Sequence, residues 1–230
     1  MANLCIIPAR HNSKRIPQKN IKLFFGKPIL AYSIELAIKS KLFDEVMVST
    51  DDDKIASISK QYGASIPFLR SKNNSDDFAS TYDVLLEVLN QYQNNNQTYE
   101  YLCCLYATCP LLDVDSLIEG FRKLKKYDYD SVFPICEYKH PIQRALKYNN
   151  NKVSMFNNQF LNSRSQDLEK AFYDPGQFYW LDVEKLYFND GLYSKNSGAI
   201  IIDESLVQDI NDPEDWEITE KKYRLLHGLS

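Results

Sequence analysis

Residues 4–38 read LCIIPARHNSKRIPQKNIKLFFGKPILAYSIELAI, which is a short apolar run, then a polar basic loop, then an amphipathic stretch. The run Leu4–Pro8 predicts a buried strand, and Pro28 opens a helix with Leu30, Ile34 and Ala37 on one face. Strand and helix patterns continue to alternate through the first two-thirds of the chain. This alternation predicts βαβ crossovers, and hence an α/β fold with a mainly parallel sheet and helices on both faces.

The later elements follow the same reasoning. Further strands are predicted at Glu45–Ser49, Ile66–Leu69, Tyr101–Tyr106, Ser131–Cys136 and Ala199–Ile202. Helices are predicted after Thr50 or Asp51, around residues 78–92 from Phe78 onward, after Asp113 or Asp115, and from Pro213.

Residues 137–195 break the alternation, because they read as short strands and loops rich in aromatic residues, with a hairpin across 149–151. The sequence therefore predicts one domain, residues 1–230, with an irregular insertion at about 137–195. Such an insertion would cover an active site or pair with another subunit.

Composition excludes several classes of protein. The chain has 230 residues, a formal net charge of −4 and 44% hydrophobic residues, whereas a nucleic-acid binder normally carries a basic excess. No apolar run approaches the roughly 18 residues of a membrane span, and the first residues lack the pattern of a signal peptide. We therefore expect a cytosolic globular protein.

The five cysteines include no C-x-x-C pair, which argues against a zinc site. Cys103 and Cys104 would point to opposite faces of one strand, and Cys109 follows in a segment that reads as a loop near a cleft. We expect free, buried thiols, because an unpaired cysteine behaves as a small hydrophobic residue.

The loop after the first strand is the first place to look for a site, since ligands of open α/β sheets bind beyond the carboxyl ends of the strands. It carries five cations in thirteen residues with no acid among them: Arg10, Lys14, Arg15, Lys19 and Lys22. A polyanion such as a triphosphate would explain this local excess in an acidic protein. The alternative is a solvated basic loop.

Several motifs, taken together, closely resemble the cytidylyltransferases that activate Kdo and the nonulosonic, sialic-acid-like sugars. They span nearly the whole chain: Ile7-Pro8-Ala9-Arg10, Ser13-Lys14, Lys19-Asn20, Gly26-Lys27-Pro28, Ser49-Thr50-Asp51-Asp52, Pro67-Phe68-Leu69-Arg70, Asp77-Phe78-Ala79-Ser80-Thr81, Thr108-x-Pro110-Leu111, Arg164-Ser165-Gln166-Asp167-Leu168 and Asp209-Ile210-x-x-Pro213-Glu214-Asp215-Trp216. The segments 141–145, 164–168 and 176–180 look most like the pseudaminic acid branch of that family.

The resemblance implies a Rossmann-like nucleotidyltransferase fold, a homodimer and a Mg²⁺-dependent reaction. In that reaction CMP passes from CTP to the anomeric hydroxyl of pseudaminic acid, and pyrophosphate leaves. The same reaction on N-acetylneuraminate, legionaminate or Kdo is the nearest alternative. A nucleotide-sugar-dependent glycosyltransferase and a catalytically silent nucleotide-binding regulator are the alternatives from other classes.

The resemblance also implies roles for individual residues. Catalytic contacts to the triphosphate would come from Arg10 and Lys19, nucleotide contacts from Ser13, Asn20, Arg70 and Ser80, and metal ligation from Asp209 and Asn211. Sugar contacts would come from Gln143, Arg144, Arg164, Gln166 and Gln177, with Tyr179 and Trp180 offering apolar faces to methyl groups.

Some positions depart from the family pattern or have a structural alternative. His11 and Asn12 stand where many relatives have glycine, Asn211 stands where an aspartate is typical, and the role of Tyr106 is left open. Arg70 could instead form an ion pair with Asp76 or Asp77, and Asp212 reads better as a helix cap than as a metal ligand.

Overall fold

The computed structural model of the protein describes residues 2–11, 13–75 and 79–229. Four positions used above, Asn12, Asp76, Asp77 and Phe78, lie outside the described residues. The strands are β1 (Asn3–Pro8), β2 (Leu23–Phe24), β3 (Lys27–Pro28), β4 (Glu45–Ser49), β5 (Tyr101–Leu105), β6 (Ser131–Glu137), β7 (Leu146–Asn149), β8 (Lys152–Met155), β9 (Phe172–Tyr173), β10 (Phe178–Asp182) and β11 (Ser197–Ile201). The α-helices are α1 (Ile29–Ser40), α2 (Asp53–Gln61), α3 (Thr81–Asn94), α4 (Val114–Tyr127), α5 (Val183–Leu186) and α6 (Pro213–His227).

The main sheet has the strand order β11-β6-β10-β5-β1-β4, and β9 pairs with β6. β1 runs parallel to β4 and β5, and β6 runs parallel to β11, whereas β10 lies antiparallel between β5 and β6. This confirms the predicted mainly parallel sheet.

The sheet is covered on both faces, as the alternation predicted. Cys103 packs in one buried cluster with side chains of α1 and α4, and Cys104 packs in a second cluster with side chains of α3. Neighbouring residues of β5 therefore point to opposite faces. All five cysteines are free and buried, including Cys109, which was expected near a cleft.

The helix starts follow the predicted capping chemistry with one shift. Asp113 and Asp212 cap α4 and α6 through their side chains, and Asp212 forms a reciprocal capping box with Asp215. The cap of α2 is Asp52, whose Oδ1 accepts from Ile55 N at 2.8 Å, so the prediction of Thr50 or Asp51 is wrong by one or two residues.

The predicted strand at Ile66–Leu69 is wrong. Only a single bridge forms there, between Met47 of β4 and Ser65. Pro67 lacks a backbone N–H, so the segment cannot continue a regular ladder along β4. Among the described residues, no helix is both long enough and apolar enough to cross a membrane.

Residues 137–195 are of two kinds. The predicted hairpin forms as β7 and β8 around Asn150 and Asn151, both with positive φ, which asparagine tolerates. Further along, however, β10 enters the centre of the sheet. Trp180 is 0% exposed there, and its indole N–H donates to Leu117 O at 3.0 Å, so the prediction that Trp180 offers a face to a ligand is wrong.

Candidate active site

A pocket of about 610 Å³ lies at the carboxyl edge of the sheet. The ends of β1 and β5 meet there, and because Phe178 pairs with Leu105, the start of antiparallel β10 reaches the same edge. This is the position at which open α/β sheets bind ligands. The lining residues are Pro8, Arg10, Ser13, Lys14, Arg15, Lys19, Asn20, Arg70, Asn74, Ala79, Ser80, Thr81, Val84, Tyr106, Ala107, Thr108, Gly176, Gln208, Asp209 and Asn211.

The loop after β1 forms a cationic wall of this pocket. Four of its five cations, Arg10, Lys14, Arg15 and Lys19, line the pocket together. The fifth, Lys22, instead places its ammonium 4.1 Å from the centre of the Trp216 ring. So many cations around one cavity create a strongly positive potential that favours a polyanion.

Hydrogen bonds to other parts of the fold hold the backbone of this basic loop in place. Ala9 N donates to Ser49 O at 2.9 Å, which continues the pairing of β1 with β4. The buried Asn20 donates from Nδ2 to Arg10 O at 3.0 Å, across ten residues of the loop. Asn20 thereby fixes the backbone that carries Arg10.

An aromatic cluster supports the loop from beneath. Phe24 is fully buried, with Trp216 and Tyr223 of α6 packed edge-on against its ring at centroid distances of 5.6 and 5.2 Å. Ile16 of the basic loop and Ile210 belong to the same buried cluster. The loop is therefore anchored by packing as well as by hydrogen bonds.

Lys19 is half-buried, and its Nζ donates to Ile210 O at 2.7 Å. Burial lowers the pKa of this ammonium, while the nearby Asp209 carboxylate opposes the shift. An ammonium that has lost part of its hydration gains more from a new anionic partner than a fully hydrated one does.

Asp209, Asn211 and Arg15 form a hydrogen-bonded chain on the facing wall. Asn211 accepts from Arg15 Nη2 at 2.7 Å through Oδ1 and donates to Asp209 Oδ2 at 2.6 Å through Nδ2. The neutral amide thus joins a cation to a carboxylate, which a second carboxylate could not do without repelling the first.

The described residues contain no group of three or more histidine, cysteine, aspartate or glutamate side chains that could hold a metal ion. This donor set still fits Mg²⁺, which is commonly held by one or two carboxylates together with substrate phosphates and waters. Asp209 is the exposed carboxylate on the pocket wall. Asn211 could add a carbonyl oxygen only by giving up its bond to Arg15.

Arg70 is 9% exposed and stands at the carboxyl end of β4. Its Nε donates to Ser49 Oγ at 3.0 Å, and its Nη2 donates to the Ser49 carbonyl. Burial lowers the pKa of this guanidinium, against the opposing effect of Asp51 and Glu87. The alternative of an ion pair with Asp76 or Asp77 falls outside the described residues.

Ser80 lines the pocket and also caps α3. Its hydroxyl accepts from Asp83 N at 3.1 Å and its backbone N–H donates to Asp83 Oδ2 at 3.2 Å, which completes a capping box. The hydroxyl also donates to Asp83 Oδ2 at 2.6 Å. The neighbouring Thr81 hydroxyl lies 3.0 Å from the Tyr106 hydroxyl, and both residues line the pocket. The start of α3 and the end of β5 therefore share this wall.

His11 is turned towards α2. Its Nδ1 lies 2.6 Å from Asp52 Oδ2, its backbone N–H donates to Asp51 Oδ1, and its side chain is not among the pocket-lining residues. The geometry gives it a role in joining the loop to α2.

Gln177, expected to contact sugar, is 2% exposed and does not line the pocket. Its Nε2 donates to Leu206 O at 2.6 Å, and its buried Oε1 has no partner among the described residues. Its backbone carbonyl accepts from Tyr106 N at 2.8 Å. Gln177 thus lies behind the pocket wall and supports Tyr106, which lines it.

The other four expected sugar residues lie on the segment 138–171, which we call the arm. None of them lines the pocket. Gln143 Nε2 donates to Glu169 O at 2.8 Å, and Arg164 makes two bonds to Asp167, at 2.7 and 3.1 Å. Arg144 bonds weakly to Ser165 Oγ at 3.4 Å, and Gln166 is exposed.

The arm leaves the sheet at β6 and returns at β9, so it is rooted at the same edge as the pocket. Its apolar side chains are strongly exposed, with Tyr148 at 73% and Phe156 at 64%, and Leu146, Val153 and Leu161 similarly open. Exposed apolar patches of this kind mark interaction surfaces.

Sequence reasoning missed several pocket residues. Thr81 and Thr108 stood inside motifs that were quoted for the resemblance, so a signal was present but no role was assigned. Gly176 likewise lies in the segment 176–180 that carries the resemblance. Asn74 and Gln208 have no separable signal, because they reach the pocket only through the packing of their loops.

Comparisons with known proteins agree on one family. The family model described as Cytidylyltransferase matches residues 4–209. Pseudaminic acid cytidylyltransferase of Campylobacter jejuni is 44% identical over 99% of this chain and 98% of its own length. CMP-N,N'-diacetyllegionaminic acid synthase of Legionella pneumophila is 30% identical over 98% of this chain and 97% of its own length.

The solved structure of CMP:2-keto-3-deoxy-manno-octonic acid synthetase complexed with CTP is similar in fold. It superposes with a TM-score of 0.72 at 16% identity and covers 99% of both chains. A family match over most of the chain, close relatives of equal length and a shared fold therefore lead to one conclusion: this chain belongs to the cytidylyltransferase family, and it is an enzyme of that family.

Proposed function

We propose that this enzyme transfers CMP from CTP to the anomeric hydroxyl of pseudaminic acid and releases pyrophosphate. The observation that carries the reaction type is the wall of four cations at the carboxyl edge of the sheet. The 44% identity to a pseudaminic acid cytidylyltransferase, over nearly the full length of both chains, supports the choice of sugar.

Arg10 and Lys19 bind the triphosphate in this proposal. Nucleotidyl transfer depends on positioning and on neutralising charge that grows on the phosphate oxygens and the leaving pyrophosphate. A guanidinium suits two oxygens at once, and a compact ammonium suits a single point of high charge. Ser13 donates to a phosphate oxygen, and Asn20 acts through the Arg10 backbone that it holds.

Arg70 and Ser80 bind the nucleoside end of CTP. Arg70 lies on the β4 side of the pocket, and Ser80 lines the pocket at the start of α3. Their hydrogen bonds to Ser49 and Asp83 fix their side chains before a ligand arrives. Such preorganisation reduces the entropy lost on binding.

Mg²⁺ is the divalent ion that we propose for this site, where it would neutralise charge on the triphosphate. Asp209 supplies the carboxylate ligand. Asn211 was proposed as a second ligand from the sequence, but its Oδ1 is engaged by Arg15. The structure therefore supports Asn211 better as the residue that orients Asp209 through the bond at 2.6 Å.

The sugar site is completed across a homodimer in this proposal. Gln143, Arg144, Arg164 and Gln166 carry suitable donors for a carboxylate and hydroxyls, yet none lines the pocket of its own chain. The exposed apolar side chains of the arm provide the surface for a second copy. The arm of one subunit would then bring these four donors to the pocket of the other.

We place the enzyme in the cytosol. All five cysteines are free thiols buried in the fold, an arrangement typical of reducing compartments. Its substrates, CTP and a nonulosonic acid, are both anions, which agrees with a cationic pocket. The net charge of −4 argues against a nucleic-acid partner.

Nucleotide-sugar-dependent glycosyltransferases often use an Asp-x-Asp metal motif, which this pocket does not support. Asp113-Val114-Asp115 has that spacing but reads as a helix start, and Asp113 caps α4 by accepting from Ser116 N at 2.7 Å. Asp115 lies in the first turn of the same helix. Neither residue lines the pocket.

The test is a panel of acceptor sugars. Purified enzyme with CTP and Mg²⁺ would receive pseudaminate, legionaminate, N-acetylneuraminate or Kdo, with pyrophosphate release and the CMP-sugar both measured. We expect the highest kcat/KM with pseudaminate. An equal or higher value with another sugar would replace the substrate, and CTP binding without turnover of any sugar would favour the regulator instead.

A further inference from the structure

Asp174 lies just outside the pocket and gathers three hydrogen-bond donors. Its Oδ2 accepts from the hydroxyls of Tyr179 and Tyr193, and its Oδ1 accepts from Gly176 N at 2.8 Å. An ionised carboxylate has only acceptor sites, so it can satisfy all three donors at the same time. Asp174 is not among the residues that the sequence predicts for the site.

The bond to Gly176 fixes a part of the pocket wall. Gly176 lines the pocket with φ of +64°, a backbone conformation that glycine adopts readily. A Cβ added there would lie 3.5 Å from the Tyr106 ring, at an ordinary contact distance, so the Gly176 turn faces that ring across the space of about one methyl group. Asp174 therefore sets the turn that faces Tyr106.

The bonds to the two tyrosines fix the layer behind that wall. The Tyr179 ring lies 5.8 Å from the Tyr106 ring and 6.1 Å from the Tyr193 ring, in both cases edge to face. Burial raises the pKa of the Tyr179 hydroxyl, which therefore remains a donor. One carboxylate thus links β10, the loop that carries Tyr193 and the Tyr106 side of the pocket.

The strand order shows which end of the pocket this wall closes. Arg70 lies beside β4 and the cationic loop follows β1, while Tyr106 follows β5 and Gly176 precedes β10. The arm is rooted one strand further, on β6. The Tyr106–Gly176 wall therefore lies between the triphosphate and the arm, where the acceptor sugar must sit.

We propose that Asp174 is a positioning residue for the acceptor: by holding Tyr179, Tyr193 and Gly176 it sets the Tyr106–Gly176 wall against which the acidic sugar binds. Asp174 does not itself touch the ligand. The inference rests on the proposed function, because it assigns this end of the pocket to the sugar.

The test is Asp174→Asn, measured with both substrates varied separately. The amide can no longer accept on both of its polar atoms, so at least one of the three donors loses its partner. We expect KM for the sugar to rise by about tenfold or more, the size of effect that one lost hydrogen bond to a charged group can have, while KM for CTP stays unchanged. The thermal midpoint should fall by no more than a few degrees, because the lost bond also contributes to stability. Tyr193→Phe removes only an exposed hydroxyl and should shift the same KM in the same direction by less.

Asp203→Asn is the matched control, since Asp203 is an exposed carboxylate that caps a short turn outside the pocket. It should change neither KM. Equal rises of both KM values in Asp174→Asn, or unchanged values in both Asp174→Asn and Tyr193→Phe, would overturn the inference. A wild-type enzyme that turns over no sugar of the panel would instead refute the proposed function and this inference with it.

Discussion

The surroundings at the two ends of β4 have opposite effects on the charged form of an ionisable side chain. At the amino end, the Glu45 carboxylate accepts from Ser65 Oγ at 2.5 Å and from the Tyr92 and Tyr99 hydroxyls at 2.6 Å each. Burial alone would raise the pKa of Glu45, but these three hydrogen bonds outweigh it and lower the pKa. At the carboxyl end, Arg70 is buried against Ser49, and its pKa is lowered because burial outweighs its favourable partners.

The difference separates stability from function. A carboxylate whose charged form is favoured by its surroundings stabilises the fold. A cation whose charged form is disfavoured, such as Arg70 or Lys19, costs stability and gains most when an anionic ligand arrives. Substitutions at the carboxyl edge should therefore reduce catalysis, and those at the amino edge should reduce stability.

The largest effect is expected for Arg10→Ala and Lys19→Ala. In the proposed mechanism each removes a contact to charge that develops in the transition state, which typically costs about 10²–10³-fold in kcat. Pyrophosphate release under saturating CTP and sugar measures the loss, and circular dichroism with a thermal melt checks that the fold is retained.

Lys39→Ala is the control for those two variants, because Lys39 is an exposed lysine on α1 that does not line the pocket. It should keep wild-type activity. Full activity in both Arg10→Ala and Lys19→Ala would show that the triphosphate binds elsewhere.

The second prediction tests whether a single chain supplies all the residues of the active site at the carboxyl edge of the sheet. Arg164→Ala should lower kcat/KM for the sugar by about ten- to a hundredfold, the effect of one charge-assisted hydrogen bond. If the arm serves the partner's pocket, coexpressed Arg164→Ala and Arg10→Ala chains should recover about a quarter of the wild-type sites, since half of randomly paired dimers are mixed and each holds one intact site.

The readout of that experiment is the activity of the whole mixture and of the doubly tagged dimers purified from it, in which about half of the sites should be intact because every such dimer is mixed. Light scattering measures the mass in solution. Activity of the mixture no higher than the mean of the two variants would mean that each arm serves its own pocket. A monomeric mass for the wild type would refute the dimer itself.

The third prediction concerns the amino edge. Glu45→Gln should lower the free energy of unfolding at pH 7 by about 1–3 kcal/mol, because the amide cannot accept from all three hydroxyls, and it should leave kcat unchanged. Urea unfolding of both proteins measures the difference.

The pH dependence follows from the direction of the pKa shift. Because the folded-state pKa of Glu45 is lowered, its contribution is fully present above the unfolded value of about 4.3 and is lost as the pH falls through the folded value. The gap between wild type and Glu45→Gln should therefore narrow below about pH 4. Glu217→Gln, an exposed change on α6, should show no such narrowing if the effect belongs to Glu45.

Local patterns were sufficient to predict much of the fold from the sequence. Apolar runs predicted β1, β4, β5 and β6, and helical spacing with capping residues predicted α1, α4 and α6. β10 was missed because its residues, Phe178-Tyr179-Trp180-Leu181, are buried on both faces and lie in a segment crowded with other aromatics. Its antiparallel place in the sheet depends on contacts distant in sequence.

The residues of the candidate site likewise fall into those that the sequence predicts and those that it does not. Arg10, Lys19 and Asn20 could be located because they follow a predicted strand, and the edge of a parallel sheet gathers such loops. Asp174 could not, since its partners Tyr179 and Tyr193 reach it only when β10 and the loop before β11 are in place. The spacing of residues along the sequence does not indicate that these three side chains meet.

The smallest effect is expected at Asp209 and Asn211, where the carboxyl edge combines both signs of charge. Asp209→Asn removes the exposed carboxylate and should raise the Mg²⁺ concentration that the enzyme requires. Asn211→Asp adds a second carboxylate beside Asp209 and should tighten Mn²⁺ binding several-fold, because affinity for such ions rises with the charge of the ligands. Titration of Mn²⁺ followed by electron paramagnetic resonance, with and without CTP, measures both variants independently of turnover. Asp203→Asn should match the wild type. If neither variant moves the titration, Asp209 is no ligand, and the chain Arg15–Asn211–Asp209 then serves only to hold the basic loop against the segment before α6.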